Sequence, residues 1–575
     1  MLALLLLIAA VPTHADYRDD IGYTLLQAEL GVATPDGTGV PVSHIEAPSI
    51  VAGRLAWMPN PSHGEFTGKT IANVSGAQPG TFSSHATAVG RMFYGTTTST
   101  SPGITAIAAY DWSHWLGDGF LQVSTAQVSN QPLSTASRVG NHSWIASLGT
   151  NDAQALARLD WVIAEDEMLH AVGFTGSTAR PLLSSAYNVL SVNRTAGATT
   201  SGSAAAGGIY TAGRTKPEIV APASSPSNAT PAVASTVAML VELGHGDPGL
   251  STDPDRTSTS NRLGDTIYNA ERAEVIKAAL MAGADRATGN SASADITDYR
   301  VNATDRTANG LDRRYGAGQL NIRNSYYIIA AGEQNSIEDL PGGAGLIGAT
   351  GFDYDRGFGG KKGRNRTATY FMPTTAGANR LTAALVWNLD VDGGKADNFD
   401  SAATLYDLDL VLFDVTDANN WVEVAASRSD ADNTEHLWQR LDGGRDYAVR
   451  VEPGAVQDDF KWDYGLAWRL TPMPPLAVDP VQLADARVNV AYPPQTLTAS
   501  NGVPPYTWSV SAGALPAGLT LSSGGAIGGT PTNPARAFLT VRVTDANSDT
   551  AMLDLQINVA GGGYVCQACH NAGGF

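Results

Sequence analysis

A serine at the mouth of a long apolar helix is the residue in this chain best placed to do chemistry. Ser227 lies within residues 215–243, TKPEIVAPASSPSNATPAVASTVAMLVEL, where an extended apolar stretch enters a Pro/Ser-rich turn. Helix starts favour Ser and accept Pro in the first turn. From Pro231 onward Ala232, Val233, Ala234, Val237, Ala238, Met239 and Leu240 are apolar nearly all round, as in a buried helix. The positive end of such a helix, with its free N–H groups, would stabilise an oxyanion forming beside the Ser227 hydroxyl. Taken alone, a serine there is also an ordinary helix cap that does no chemistry.

The surrounding string narrows the choice. SNATPAVA, preceded by KPEIVAP, resembles the nucleophile segment of subtilisin-like serine proteases, usually G-T-S-x-A-x-P after K-P-D-I-x-A-P; Ser225 stands where Gly is usual and Pro226 where Thr is usual. Residues 36–50, DGTGVPVSHIEAPSI, carry Gly-x-Gly into a short apolar strand, Val40, Val42 and Ile45, that ends in Glu46. The string resembles the family's G-x-G-V-x-V-A-V-I-D, with Glu46 at the catalytic Asp; on its own it reads equally as an exposed carboxylate at a strand end. Residues 84–90, SHATAVG, resemble H-G-T-x-V-A-G, with His85 at the general base and Ala86 replacing Gly. The three segments follow in the order acid, His, Ser, which is the subtilisin order.

That resemblance implies an α/β fold, a subtilisin-like parallel sheet flanked by helices, and an endopeptidase acting on protein or peptide substrates. His85 would take the proton of Ser227, Ser227 would attack the peptide carbonyl, and Glu46 would orient the imidazole and stabilise its charged form. No cofactor enters this scheme. Residues 137–149, SRVGNHSWIASLG, resemble the strand lining the substrate groove, although Asn141, His142, Ser143 and Trp144 also suit an ordinary strand end beside a core Trp. An amphipathic helix is expected over residues 160–170. Where relatives carry an Asn that donates to the oxyanion, this chain has Phe174 and Thr175. Losing such a donor lowers turnover by about 10²–10³, and Thr175, Asn141 and the Ser227 N–H are the available stand-ins, with Ser143 beside them in the groove.

At 575 residues the chain calls for two to four domains. A net charge of −19 with few Lys argues against nucleic acid or an anionic membrane surface as partner. Residues 1–15 read as a secretory signal peptide, an apolar run followed by Pro and a small-x-small site ending at Ala15. No other stretch is apolar enough to span a bilayer, so the mature chain is expected to be secreted, periplasmic or at the cell surface. The catalytic domain is expected over 16–333, closed by a helix around Ala273, Ile276, Ala279, Leu280 and Ala284 and by YGAGQLN at 315–321.

Residues 345–471 turn to short strands such as TATYFMP, RLTAALVWN and LYDLDLVLFDV, which suggests a jelly-roll-type β-sandwich. Asp407 and Asp409 alternate along one strand and could bind Ca²⁺ together; a solvated strand face is the plainer reading. Residues 476–560, with GALPAGLTL and GGTP, resemble a bacterial putative-Ig module, a second all-β sandwich that would bind cell-surface or matrix material rather than catalyse. The tail at 561–575 holds both cysteines, in Cys566-x-x-Cys569-His570, a spacing that fits c-type haem attachment, although a local disulfide loop, a metal clip or the stub of a longer protein are together the plainer readings. Two other classes therefore stand beside the peptidase: a catalytically silent scaffold of the same fold, and an exported electron-transfer or attachment protein.

Overall fold

The segment VSHIE at Val42–Glu46 (β1) is buried at all five positions, as expected of a central strand in a parallel sheet covered on both faces. Its neighbours are equally short: Thr70–Asn73 (β2), Ala106–Asp111 (β3), Val139–His142 (β4), Leu169–Gly173 (β5), Leu190–Arg194 (β6) and Ile219–Ala221 (β7). In this computed structural model, which describes residues 16–561 apart from 79, 125–128, 197–199, 287–304, 340–344 and 455–456, the seven strands form one parallel sheet. Its order is β2-β3-β1-β4-β5-β6-β7. β1 pairs with β3 through Val42 to Ile107 and Glu46 to Asp111, and with β4 through Val42 to Val139 and Ile45 to His142.

Five principal helices pack with the sheet: Ser84–Tyr94 (α1), Asp152–Asp166 (α2), Pro226–Gly246 (α3), Ala273–Gly283 (α4) and Ile322–Ala330 (α5). α3 runs along β4, β5 and β6 and against α1, which explains its all-round apolar sequence. The second helix lies earlier than its sequence suggests, because residues 160–170 contain the end of α2 and the start of β5. Its polar Arg158 and Asp160 are buried and break the apolar periodicity; Asp160 accepts hydrogen bonds from the N–H groups of Tyr187 and Asn188 and from the Tyr210 hydroxyl.

Eight further strands make two four-stranded sheets: Thr350–Phe358 (β8), Ala368–Phe371 (β9), Asn379–Val386 (β10), Leu408–Asp414 (β11), Val422–Ser427 (β12), Thr434–Leu441 (β13), Tyr447–Pro453 (β14) and Trp462–Pro472 (β15). The orders are β8-β15-β10-β13 and β9-β14-β11-β12. Both sheets contribute to one core, among others Leu381, Leu385, Tyr464 and Trp468 from the first and Tyr370, Leu410, Leu412 and Val449 from the second. This sandwich forms one compact unit with the parallel sheet. Phe352, Tyr354, Val386, Leu389 and Ala467 belong to the same apolar cluster as α3 and α4. Polar ties follow the contact, with the Thr215 N–H on Asp432 at 2.9 Å and the Leu389 N–H on the Asn188 side chain at 2.7 Å.

A second unit, whose described residues are 472–561 with 376–379, has its own core of Trp508, Ile527, Val541, Val543 and Ile557. Ala486–Arg487, Thr550–Ala560, Ala535–Thr544 and Thr507–Gly513 form a four-stranded sheet, and Tyr492–Thr496, Ala526–Gly529 and Leu519–Leu521 a three-stranded one. The segments read as signal peptide and as CxxCH tail lie outside the described residues. No helix among the described residues is long and apolar enough to cross a membrane.

Because the sandwich completes the core of the α/β part, the two should unfold together. Phe352→Ala, at a position with no exposure, is expected to destabilise that common transition by about 3–5 kcal/mol. Calorimetry should show one peak for the α/β part and first sandwich moving down in temperature, with the peak of residues 474–560 unmoved.

Candidate functional site

The strand order places the site before any side chain is considered. From β1 the chain goes to β2 and β3 on one side, while β4 lies on the other, so the order reverses between β1 and β4. In open parallel sheets ligand sites lie beyond the carboxyl ends of strands at such a reversal. Glu46 ends β1, and Asn141 and His142 end β4 with Ser143 just beyond. His85 and Ser227 each occupy the first turn of a helix, α1 and α3 respectively. Ser83 caps α1 through a hydrogen bond from the Ala86 N–H at 3.1 Å, and Ser225 caps α3 from the Asn228 N–H at 3.2 Å. Capping duty at the second helix thus falls to Ser225 and leaves the Ser227 hydroxyl for other work.

Glu46 is 1% exposed, and its Oε2 accepts from His85 Nδ1 at 2.9 Å. Its Oε1 lies 3.0 Å from Nε2 of His44, a residue that motif matching passed over, and the Tyr94 hydroxyl lies 2.8 Å from His44 Nδ1. Alternation along β1 puts positions 44 and 46 on one face, so His44 was within reach of sequence reasoning. Tyr94, at the far end of α1, was not. Burial pushes the Glu46 carboxyl up, but the hydrogen bonds from His44 and His85 hold it below the ordinary carboxylate value. The hydrogen bond to Glu46 raises the His85 pKa above the ordinary imidazole value despite partial burial. The His85 side chain remains 47% exposed, with Nδ1 turned to Glu46.

Ser227 is half-buried, and its Oγ donates to the Ser143 carbonyl at 3.4 Å while Ser143 Oγ donates to the Ser227 carbonyl at 3.0 Å. This reciprocal pair staples the end of β4 to the start of α3. No hydrogen bond joins His85 to Ser227 among the described residues; in unliganded sites such bonds are commonly long. Asn141 is fully buried, donating its amide to Ser143 Oγ at 3.2 Å, so it stands beneath the site. Thr175 is exposed just past β5, and Phe174 is buried with its N–H on the Val192 carbonyl at 2.7 Å.

Deeper still, His142 Nε2 and His170 Nδ1 are 2.8 Å apart, packed against Trp115 and, for His142, Trp144. Burial holds both neutral, with His170 pushed down to about 3 and His142 also well below its ordinary value. Asp409 pairs with Arg428 at 3.3 Å, and Asp407 precedes β11 rather than lying in it. Among the described residues no group of three His, Cys, Asp or Glu that could hold a metal ion is present. Cys566, Cys569 and His570 lie outside the described residues.

Residues 474–560 match the family model described as Putative Ig domain. Curated proteins give no match. Among solved structures, the chain is similar to the self-cleaved protease domain of PatA at 16% identity, covering 52% of this chain and 99% of that one, with a TM-score of 0.31. It is similar to tripeptidyl peptidase 2 at 10% identity over 81% of this chain and 46% of that one, TM-score 0.24. A putative alpha-galactosidase/melibiase from Bacteroides fragilis is similar at 20% identity over 15% of this chain, which spans 17% of its length, TM-score 0.13.

The His85 and Glu46 contact has a direct solution signature. His85 is expected to titrate, by NMR of its ring protons, above about 6.5, and in Glu46→Gln to fall back to that value or below. Since folding raises this pKa, the pairing contributes stability in full below the unfolded imidazole pKa and loses it as pH rises through the folded value.

Proposed function

We propose that the chain is an exported serine endopeptidase of the subtilase type, acting through Glu46, His85 and Ser227. The observation that carries the reading is the hydrogen bond of 2.9 Å from His85 Nδ1 to a buried carboxylate at the carboxyl end of β1. With Nδ1 held there, Nε2 is the base. It takes the proton of Ser227 Oγ as Oγ bonds to the peptide carbonyl carbon, and returns it to the leaving amine as the C–N bond breaks; water then repeats the sequence on the acyl-enzyme. The negative charge on the carbonyl oxygen falls to the Ser227 N–H in the first turn of α3 and to Thr175, because the Asn141 amide is used internally and the Asn228 and Ala229 N–H groups are taken by Ser225. The chemistry runs on protein groups, without a cofactor, on protein or peptide substrates. The apolar run at residues 1–15 supports export, and the Ig-like residues 474–560 support binding to surface or matrix material.

A catalytically silent scaffold is the second reading, favoured by the Ser227 Oγ bond to the Ser143 carbonyl and by Phe174 at the usual place of an amide donor. A fluorophosphonate probe separates the two. Labelling that disappears in Ser227→Ala supports the peptidase, and no labelling of the folded protein supports the scaffold. Glu46→Gln is expected to lower kcat by as much as about 10⁴. Thr175→Asn, which returns an amide donor, is expected to raise kcat by up to about 10² with KM unchanged.

A further inference from the structure

Of the four residues joined at the carboxyl end of β1, two have no part in the proton transfer described above. His44 is 1% exposed and Tyr94 fully buried. The Glu46 carboxylate, itself buried, has His44 on Oε1 and His85 on Oε2. A glutamate has one more rotatable bond than an aspartate, so a carboxylate bound through one oxygen alone could swing away from the imidazole it must orient. With Oε1 pinned, the carboxylate plane is set and Oε2 is presented to His85.

We propose that His44 and Tyr94 form a buried clamp that aims the Glu46 carboxylate at His85, making His44 a positioning residue of this site. The hydrogen bonds run in one consistent direction: Tyr94 O–H donates to His44 Nδ1, which leaves the proton on Nε2 to donate to Glu46 Oε1. Tyr94 is held by ring contacts to Phe66 and Phe93 with centroids 5.3 and 5.5 Å away, and edge-on to His44 at 5.7 Å. Gly90, one turn earlier on α1, makes the arrangement possible, since a Cβ there would come within 2.6 Å of the Tyr94 hydroxyl. Glycine is a poor helix former beside alanine, and here it leaves room for that hydroxyl. The other ionisable groups near the clamp are His142, from β4 and kept neutral by burial, and Asp111, paired in register with Glu46 on β3. The Asp111 carboxylate is occupied by the N–H groups of Ser113 and His114. Both groups thus have hydrogen-bond partners other than Glu46.

The inference rests on the peptidase reading for its catalytic consequence, but its test does not. The His85 titration is followed by NMR in the full chain and in His44→Gln, His44→Asn and His44→Leu. Gln reaches Oε1 with an amide donor, Asn carries the donor but falls short, and Leu has none. The clamp predicts that His85 titrates in His44→Gln as in the parent and about one unit or more lower in the other two, with the acid limb of kcat/KM moving to lower pH alongside. It also predicts a fall in kcat on the order of tenfold at unchanged KM. An unchanged His85 titration in a folded His44→Asn or His44→Leu overturns the proposal, and so does a fall in His44→Gln equal to that in His44→Asn. Should His44→Leu fail to fold around an unpaired carboxylate, His44→Asn decides. If the parent takes no fluorophosphonate label, the peptidase reading falls while the titrations still decide the clamp.

Discussion

A carboxylate taken out of water is tolerable only where donors replace the water it lost, and around Glu46 this requirement organises the site. Charge burial without such partners costs several kcal/mol, yet Glu46 stays below the ordinary carboxylate range because imidazoles occupy both of its oxygens. Satisfying them draws together two elements: β1 supplies Glu46 and His44, while the first turn of α1 supplies His85 and its last turn Tyr94. One helix thus closes the network from both of its ends, and the exposed nitrogen of His85 is left as the single outward-facing basic group of the cluster.

The nucleophile side is held by different means. α3 is wedged along β4, β5 and β6, and its start is tied to the end of β4 by the two Ser143 and Ser227 hydrogen bonds. Beneath it the chain keeps polar residues that look catalytic in sequence but are consumed in support. Asn141 serves Ser143, and His142 and His170 are neutral partners packed on tryptophan. Where the peptidase reading would want a side-chain amide this side has Phe174, and that reading therefore leans on the Ser227 N–H, since the Asn228 and Ala229 N–H groups are bonded to Ser225.

The first sandwich extends this framework. Its strands β8, β10 and β15 put Phe352, Tyr354, Val386 and Ala467 into the core that α3 and α4 share. Arg272, beside α4, lies over the Tyr354 ring at 4.1 Å, and the Asn388 amide donates to Glu274 at 3.1 Å. Apolar surface that a free-standing α/β part would expose is covered by the sandwich, so the helices behind the sheet depend on a segment remote in the chain. Residues 474–560, by contrast, close their own core.

Much of this was written in local sequence. The apolar run after Pro231, the short buried strands, the change to β structure after residue 345 and the Gly/Pro-stitched module at the end all follow from periodicity and turn chemistry, which act between neighbours. The order of Glu46, His85 and Ser227 along the chain was likewise legible, because each sits at the end of an element that marks itself. Local pattern failed at Asp160 and Arg158, polar residues whose burial is made acceptable only by partners more than twenty residues away. It could not show that Asn141 is beneath the site, that Arg428 meets Asp409, or that Tyr94 reaches His44 from the far end of α1. Those outcomes belong to the tertiary structure because hydrogen bonding and desolvation are decided by what surrounds a group in space, and the sequence lists only what adjoins it along the chain.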